Sequence, residues 1–220
     1  MLQTERLIIR RFTKEDWQDL YEYLRDEEVV QFEPYEVYTE EQAKQETLKR
    51  VNDDCFFAVC LKADGTVIGN LTLIEGAFQT WEVGFVFNRQ YQRKGYATES
   101  VKALMNYAFT HLGARRIVAM CSPLNEPSWK LLERIGMRYE GTLLQNVYFK
   151  KDEEGKPIWL DTYEYAILKS EWIKQGLSLI HISMCIRDSH STNPFFELPS
   201  SSSTISALSN ETTPRIWSSF

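Results

Sequence analysis

The sequence predicts an α/β (α+β) fold, a mixed central sheet of about seven strands flanked by four helices. Three observations carry this. The run at 81–87 is apolar and β-favouring, and it leads through a polar turn, Asn88-Arg89-Gln90-Tyr91, into a basic loop containing Gly95. After the loop, Ala97, Val101, Leu104, Met105, Ala108 and Leu112 recur on one helical face. The second observation is the buried-type run at 115–121 that follows this helix, because strand–helix–strand implies parallel pairing by a right-handed crossover. The third is a pair of strands at 56–62 and 66–74 around Asp64-Gly65, a tight hairpin turn.

The remaining elements follow in order. Residues 6–12 read as a first strand of β-branched and apolar residues between charges. Thr13 with Asp16 is an N-terminal box for an amphipathic helix through Trp17, Leu20, Tyr21 and Leu24. The aromatic and acidic stretch at 30–38 cannot be a regular helix across Pro34. Thr39 with Gln42 is a second box, opening a helix to about Val51. The long helix after the basic loop ends near Gly113. Asn125 or a near neighbour caps the next helix, which carries Trp129, Leu132 and Ile135 and stops at Gly136. Strands at 138–149 and 158–168 flank a charged surface connection with Gly155 and Pro157.

Composition narrows the function classes. A chain of 220 residues with 43% hydrophobic content can bury one good core. No apolar run reaches membrane-spanning length, and the N-terminus has no signal-peptide pattern, so the expectation is a cytoplasmic protein with no membrane partner. The net charge of −6 argues against nucleic-acid binding through phosphates. Cys55 and Cys60, an odd number apart, are expected on opposite faces of a strand as small buried hydrophobes. The histidines His111, His181 and His190 have no metal-ligand spacing, and no metal site is expected.

From about Gly176 the chain changes character: a serine run at 200–203 and no sustained period. The segment 177–189 resembles translated sequencing-adaptor read-through. The expected organisation is one domain at 1–175, followed by a non-native or disordered tail at 176–220.

The organising stretch at 81–100 makes an anion site: unpaired N–H groups at a helix start point into a basic loop, and the helix dipole adds positive potential. It lacks the Gly-Lys-Ser/Thr of a Walker A loop and the glycines of a Rossmann turn. What remains is Gln92-x-x-Gly95-x-Ala97 with Arg93 and Lys94 between, which on its own fits a pyrophosphate cradle or a solvated turn.

This pattern, in this order of elements, resembles the GNAT superfamily of acyl-CoA-dependent N-acyltransferases over residues 4–170. Thr4-Glu5-Arg6-Leu7-Ile8-Ile9-Arg10, the run from Asn125 through Ser128 to Gly136-Met137, and Trp159-x-Asp161 resemble the Rim-type ribosomal-protein N-acetyltransferase branch. The resemblance implies a sheet splayed between its fourth and fifth strands to admit the pantetheine arm of acetyl-CoA. It implies a pyrophosphate cradle at Gln92, Arg93, Lys94, Gly95, Tyr96, Ala97 and Thr98, and oxyanion donors among the amides of Phe85, Val86 and Phe87. Glu82, an acid inside an apolar strand, is the expected base, with a solvated or Arg-paired glutamate as the alternative. Many family members carry a Tyr four residues before the Gly that ends the last helix; here that position is Leu132. Ser128 is the substitute acid or a first-turn cap, and Asn125 bonds the CoA arm or caps the helix. Gly84 fits a bulge, a close backbone approach, or packing under an aromatic.

The acceptor pocket is expected around Phe32, Glu33, Tyr35 and Asp161. The implied function is transfer of acetyl to a primary amine, foremost a peptide or protein N-terminal α-amine, such as that of a ribosomal protein. The alternatives are a small-molecule amine (polyamine, aminoglycoside or amino-acid-like) and a GNAT-like module that binds acyl-CoA without turnover. A monomer or homodimer is expected.

Overall fold

The structure, a computed structural model, describes residues 1–176. Of the tail expected at 176–220, residues 177–220 lie outside the described residues. In chain order come β1 (Leu2–Gln3), β2 (Leu7–Arg10), α1 (Trp17–Leu24), α2 (Glu27–Val30) and α3 (Glu40–Val51). Next are β3 (Phe56–Leu61), β4 (Val67–Glu75), β5 (Thr80–Phe87), α4 (Tyr96–His111) and β6 (Arg116–Cys121). The last are α5 (Glu126–Arg134), β7 (Arg138–Lys151), β8 (Pro157–Leu168) and α6 (Lys169–Lys174). The strands form one sheet in the order β1-β2-β3-β4-β5-β6-β8-β7.

Every expected strand is present, and among the described residues there are eight rather than seven. The additions are β1, α2 and α6. β1 is two residues long, too short for any period to show. α2 is a single turn whose Asp26 carboxylate accepts the Glu28 amide at 3.0 Å. α6 is held by tertiary contact: Trp172 is fully buried, donates Nε1 to Asn106 Oδ1 at 3.2 Å, and sits 5.7 Å from the Phe109 ring.

Local signals worked where they were made of contacts within one turn. Thr39 accepts the Gln42 amide at 3.3 Å and Gln42 Oε1 accepts the Thr39 amide at 2.8 Å, the reciprocal box that opens α3. Asp16 accepts the Thr13 amide at 2.7 Å, but the turn it closes is 3₁₀, and α1 starts only at Trp17. Asp16 also takes Arg10 in a two-pronged pair at 2.7 and 2.8 Å. Gly113 and Gly136 close α4 and α5 with φ of 72° and 93°.

The sheet buries a different core on each face. On one lie α4, α5 and α6 over Leu71, Val83, Leu104, Met105, Ile117 and Trp172, an apolar cluster. On the other, α1 and α3 cover Phe12, Leu20, Tyr23, Phe56, Ala58 and Val67. That second core has a polar centre: Arg50, 1% exposed, pairs with buried Glu46 at 2.9 Å and shares Asn70 Oδ1 with Tyr23, each at 3.0 Å. The expected opposition of Cys55 and Cys60 fails here. Cys60 lies in the second core and Cys55 packs against that same core, because Cys55 precedes β3 and so escapes its pleat.

β5 and β6 pair in parallel at only three positions, Thr80 with Arg116, Trp81 with Ile117, and Glu82 with Val118. Beyond them β5 stays on β4, with continuous register to Phe87, while β6 stays on β8. The sheet therefore opens between β5 and β6 just after Glu82, where the resemblance implied a splay.

Candidate active site

Glu82 is the last β5 residue paired with β6, so its carboxyl stands at the apex of the opening. It points to the face of the second core, together with Gly84 and Val86, since Val83 and Phe87 occupy the first core. It is half-buried, and burial, reinforced by the nearby Glu164 carboxylate, pushes its carboxyl up to about 8. Arg116 bonds Glu164 at 3.1 Å and Glu140 at 2.6 Å. Sequence reading missed Glu164 and Arg116; their contact is made across strands, and nothing local marks it.

The β5 amides divide by ladder geometry. The Asn88 amide bonds the Ile68 carbonyl at 2.9 Å, in the same register that pairs Val86 with Asn70 and Gly84 with Thr72. Hydrogen-bonded pairs alternate along an antiparallel ladder. The amides of Glu82, Gly84 and Val86 are thus spent on β4, that of Val83 is used in the last pairing with β6, and those of Phe85 and Phe87 face the gap. Of the three expected oxyanion donors, Phe85 and Phe87 have amides on the gap side. Val86 does not, because its N–H is committed to Asn70.

Gly84 serves close approach: a Cβ there would lie 2.5 Å from Thr72 Oγ1. The bulge reading of Gly84 is set aside, since the β4–β5 register runs through it unbroken.

The basic loop follows β5 and a 3₁₀ turn at Arg89–Tyr91. Gln92, Arg93, Lys94 and Gly95 are exposed, and Tyr96, Ala97 and Thr98 form the first turn of α4. Arg93 has φ 61° and Gly95 φ 82°, so the backbone curls left-handed twice before the helix begins. Such a curl, with its amides on the concave side of a helix start, suits pyrophosphate oxygens. The Gln92 side chain turns back and donates to the Phe87 carbonyl at 3.3 Å, bracing the loop against β5.

On the far side of the gap, Asn125 Oδ1 caps α5 by accepting the Ser128 amide at 3.3 Å. Ser128 is half-buried one turn before Leu132 on the same face. Leu132 is fully buried in the first core, which explains why that position holds no acid: its side chain fills the core.

Of the expected acceptor residues, Phe32, Glu33 and Tyr35 are half-buried in the segment between α2 and α3, on the side of the second core. Burial pushes the Glu33 carboxyl up to about 7, although Arg50 and Tyr35 beside it work to lower it. Asp161 has a different task. It accepts the amide of Gln145, whose φ is 48°, at 2.7 Å and pins an irregularity in the β7–β8 ribbon past the last pairing with β6.

Residues 6–138 match the family model described as acetyltransferase (GNAT) domain. The chain is 40% identical over 173 residues to the uncharacterized N-acetyltransferase YnaD of Bacillus subtilis (strain 168), covering 78% of this chain and 98% of that protein. The crystal structure of a GNAT-family acetyltransferase from Bacillus anthracis matches with a TM-score of 0.71 at 35% identity, over 77% of this chain and 99% of that one. A spermidine N-acetyltransferase from Vibrio cholerae, solved with CoA and spermine, matches in fold with a TM-score of 0.63 at 20% identity, over 76% and 98% of the two chains. The family model spans both walls of the gap and the loop beside it, and on these matches the chain belongs to the GNAT acetyltransferase family, N-acetyltransferases that use acetyl-CoA.

Proposed function

We propose that this enzyme acetylates the α-amine of a peptide or protein N-terminus, with Glu82 as the base and Ser128 as the acid, in a domain formed by residues 1–175 acting in the cytoplasm. The donor, when bound, supplies a thioester carbonyl carbon for attack. The 92–98 loop holds its pyrophosphate, and the Phe85 and Phe87 amides face the negative charge that develops on the carbonyl oxygen. Glu82 takes the first proton from the attacking ammonium, the new C–N bond forms as the C–S bond breaks, the Ser128 hydroxyl gives a proton to the departing sulfur, and the second proton shed by the nitrogen restores that hydroxyl. Phe32, Glu33 and Tyr35 line the acceptor side.

The observation that carries the acceptor assignment is the Glu82 carboxyl at about 8 at the apex of the gap. A peptide α-amine has an ordinary pKa of about 7.7–8.0, whereas a lysine-type amine lies near 10.4. Proton transfer from the first to the ionised form of Glu82 is close to balanced. From the second it is uphill by about two units, or roughly 3 kcal/mol.

A thiol-release assay with acetyl-CoA, run against ribosomal N-terminal peptides and a panel of polyamines and other small amines, tests this. Peptides should be preferred by at least about tenfold in kcat/KM. A preference for polyamines would overturn the acceptor assignment, and no CoA release with any amine would overturn the catalytic one.

A further inference from the structure

We propose that Arg6 is a positioning residue: it presets the peptide between Lys94 and Gly95, so that the pyrophosphate meets a loop amide already turned toward it. This deepens the reading above, since it rests on the 92–98 loop holding the pyrophosphate. Arg6 lies in the turn between β1 and β2, far from the loop in sequence, yet its guanidinium donates Nη1 to the Lys94 carbonyl at 2.9 Å. It also lies over the Tyr96 ring, 4.5 Å from the centroid. A Cβ on Gly95 would come within 3.3 Å of its Nη2.

The consequence follows from peptide geometry. All peptide bonds among the described residues are trans. In a trans peptide the carbonyl of one residue and the amide of the next point in opposite directions. With the Lys94 carbonyl drawn onto Arg6, the Gly95 N–H is turned away from Arg6, across the loop. Gly95 sits at φ 82°, where a peptide plane flips easily without such a tether.

Arg6 also solves an electrostatic problem at the same place. Glu99 stands in the first turn of α4, where its charge opposes an incoming anion. Its carboxylate accepts the Thr4 hydroxyl at 2.5 Å, the Arg6 amide at 3.0 Å and Arg6 Nε at 2.7 Å. Burial works to raise its pKa, and those bonds override burial and lower it. The paired charges leave the helix dipole and the loop cations to face the phosphates. The fork geometry matters: one planar group bonds Glu99 and the Lys94 carbonyl together, which a lysine ammonium cannot match.

The test is CoA binding to the full chain by calorimetry, which needs no acceptor and so is independent of the α-amine assignment. Arg6→Met should raise the Kd for CoA about tenfold. The Kd for S-acetylpantetheine, which lacks the pyrophosphate, should stay within twofold, and Tm should move little. Arg6→Lys keeps the charge and should still raise the CoA Kd about fivefold; it decides the matter if Arg6→Met does not fold. Unchanged CoA affinity, equal loss for both ligands, or full recovery by lysine would each overturn the positioning role. Wild-type protein that binds CoA no more tightly than S-acetylpantetheine would instead overturn the pyrophosphate assignment of the loop, and this inference with it.

Discussion

The two faces of the sheet are built on different physical terms. The face under α4, α5 and α6 is an apolar core whose large side chains, Leu71, Leu104, Met105, Phe109 and Trp172 among them, are excluded from solvent. The face under α1 and α3 buries an Arg50–Glu46 ion pair with Asn70 and Tyr23, and carries two half-buried carboxyls, Glu82 and Glu33, raised to about 8 and about 7. Apolar burial is tolerant of pH; buried polar groups are costly unless paired, and respond to protons. The difference places the two raised carboxyls, Glu82 and Glu33, on the second face.

The largest expected effect separates chemistry from binding. Glu82→Gln should lower kcat by about 10²–10³-fold while CoA affinity stays within twofold. Equal losses in both would mean that Glu82 shapes the gap instead of taking a proton.

On the apolar face, Leu104→Ala should cost about 3 kcal/mol by chemical denaturation, independent of pH. A loss below about 1 kcal/mol would show that this wall is loosely packed.

Next comes the crossing of β4 and β5. Gly84→Ala drives a methyl into Thr72 Oγ1 and should cost about 1–3 kcal/mol. Adding Thr72→Ala should recover at least half of that, and additive losses would place the strain elsewhere.

The smallest effect is a pH slope. A carboxyl whose folded pKa exceeds its unfolded value binds protons preferentially in the native state, so stability falls as pH rises between the two values. For Glu33 that window runs from about 4.5 to about 7, and for Glu82 from about 4.5 to about 8. Glu33→Gln should flatten the lower part of this fall and be more stable than wild type at pH 8 by on the order of 1 kcal/mol. A less stable variant would mean that Glu33 is valuable as a second counter-ion to Arg50.

How much was legible depended on the distance over which each feature is made. Thr39 with Gln42, the cap at Asn125, and the helix ends at Gly113 and Gly136 were readable because each is a bond or a dihedral within one turn. The loop at 92–98 was readable for the same reason, as a basic glycine-containing turn before a helix start, though its second left-handed residue, Arg93, was not. Val86 was misread as a gap-facing donor because its direction depends on which β4 residue sits opposite. Asp161, expected at the acceptor pocket, also accepts the Gln145 amide across the ribbon, a contact that no local signal marks. Arg50 and Glu46, four apart on α3, carry no local mark of burial; packing against β4, where Arg50 bonds Asn70, buries them.

By itself the sequence determined the order of the longer strands and helices, the basic turn at the start of α4 and Glu82 as an acid in an apolar strand, since period, caps and turn residues are local properties of the chain. Tertiary structure decided that β5 and β6 part just after Glu82, that Glu164 stands close enough to raise its carboxyl, and that Arg6 reaches the Lys94 carbonyl. Each of these is a contact between residues distant along the chain, and no local propensity encodes which distant residue will arrive.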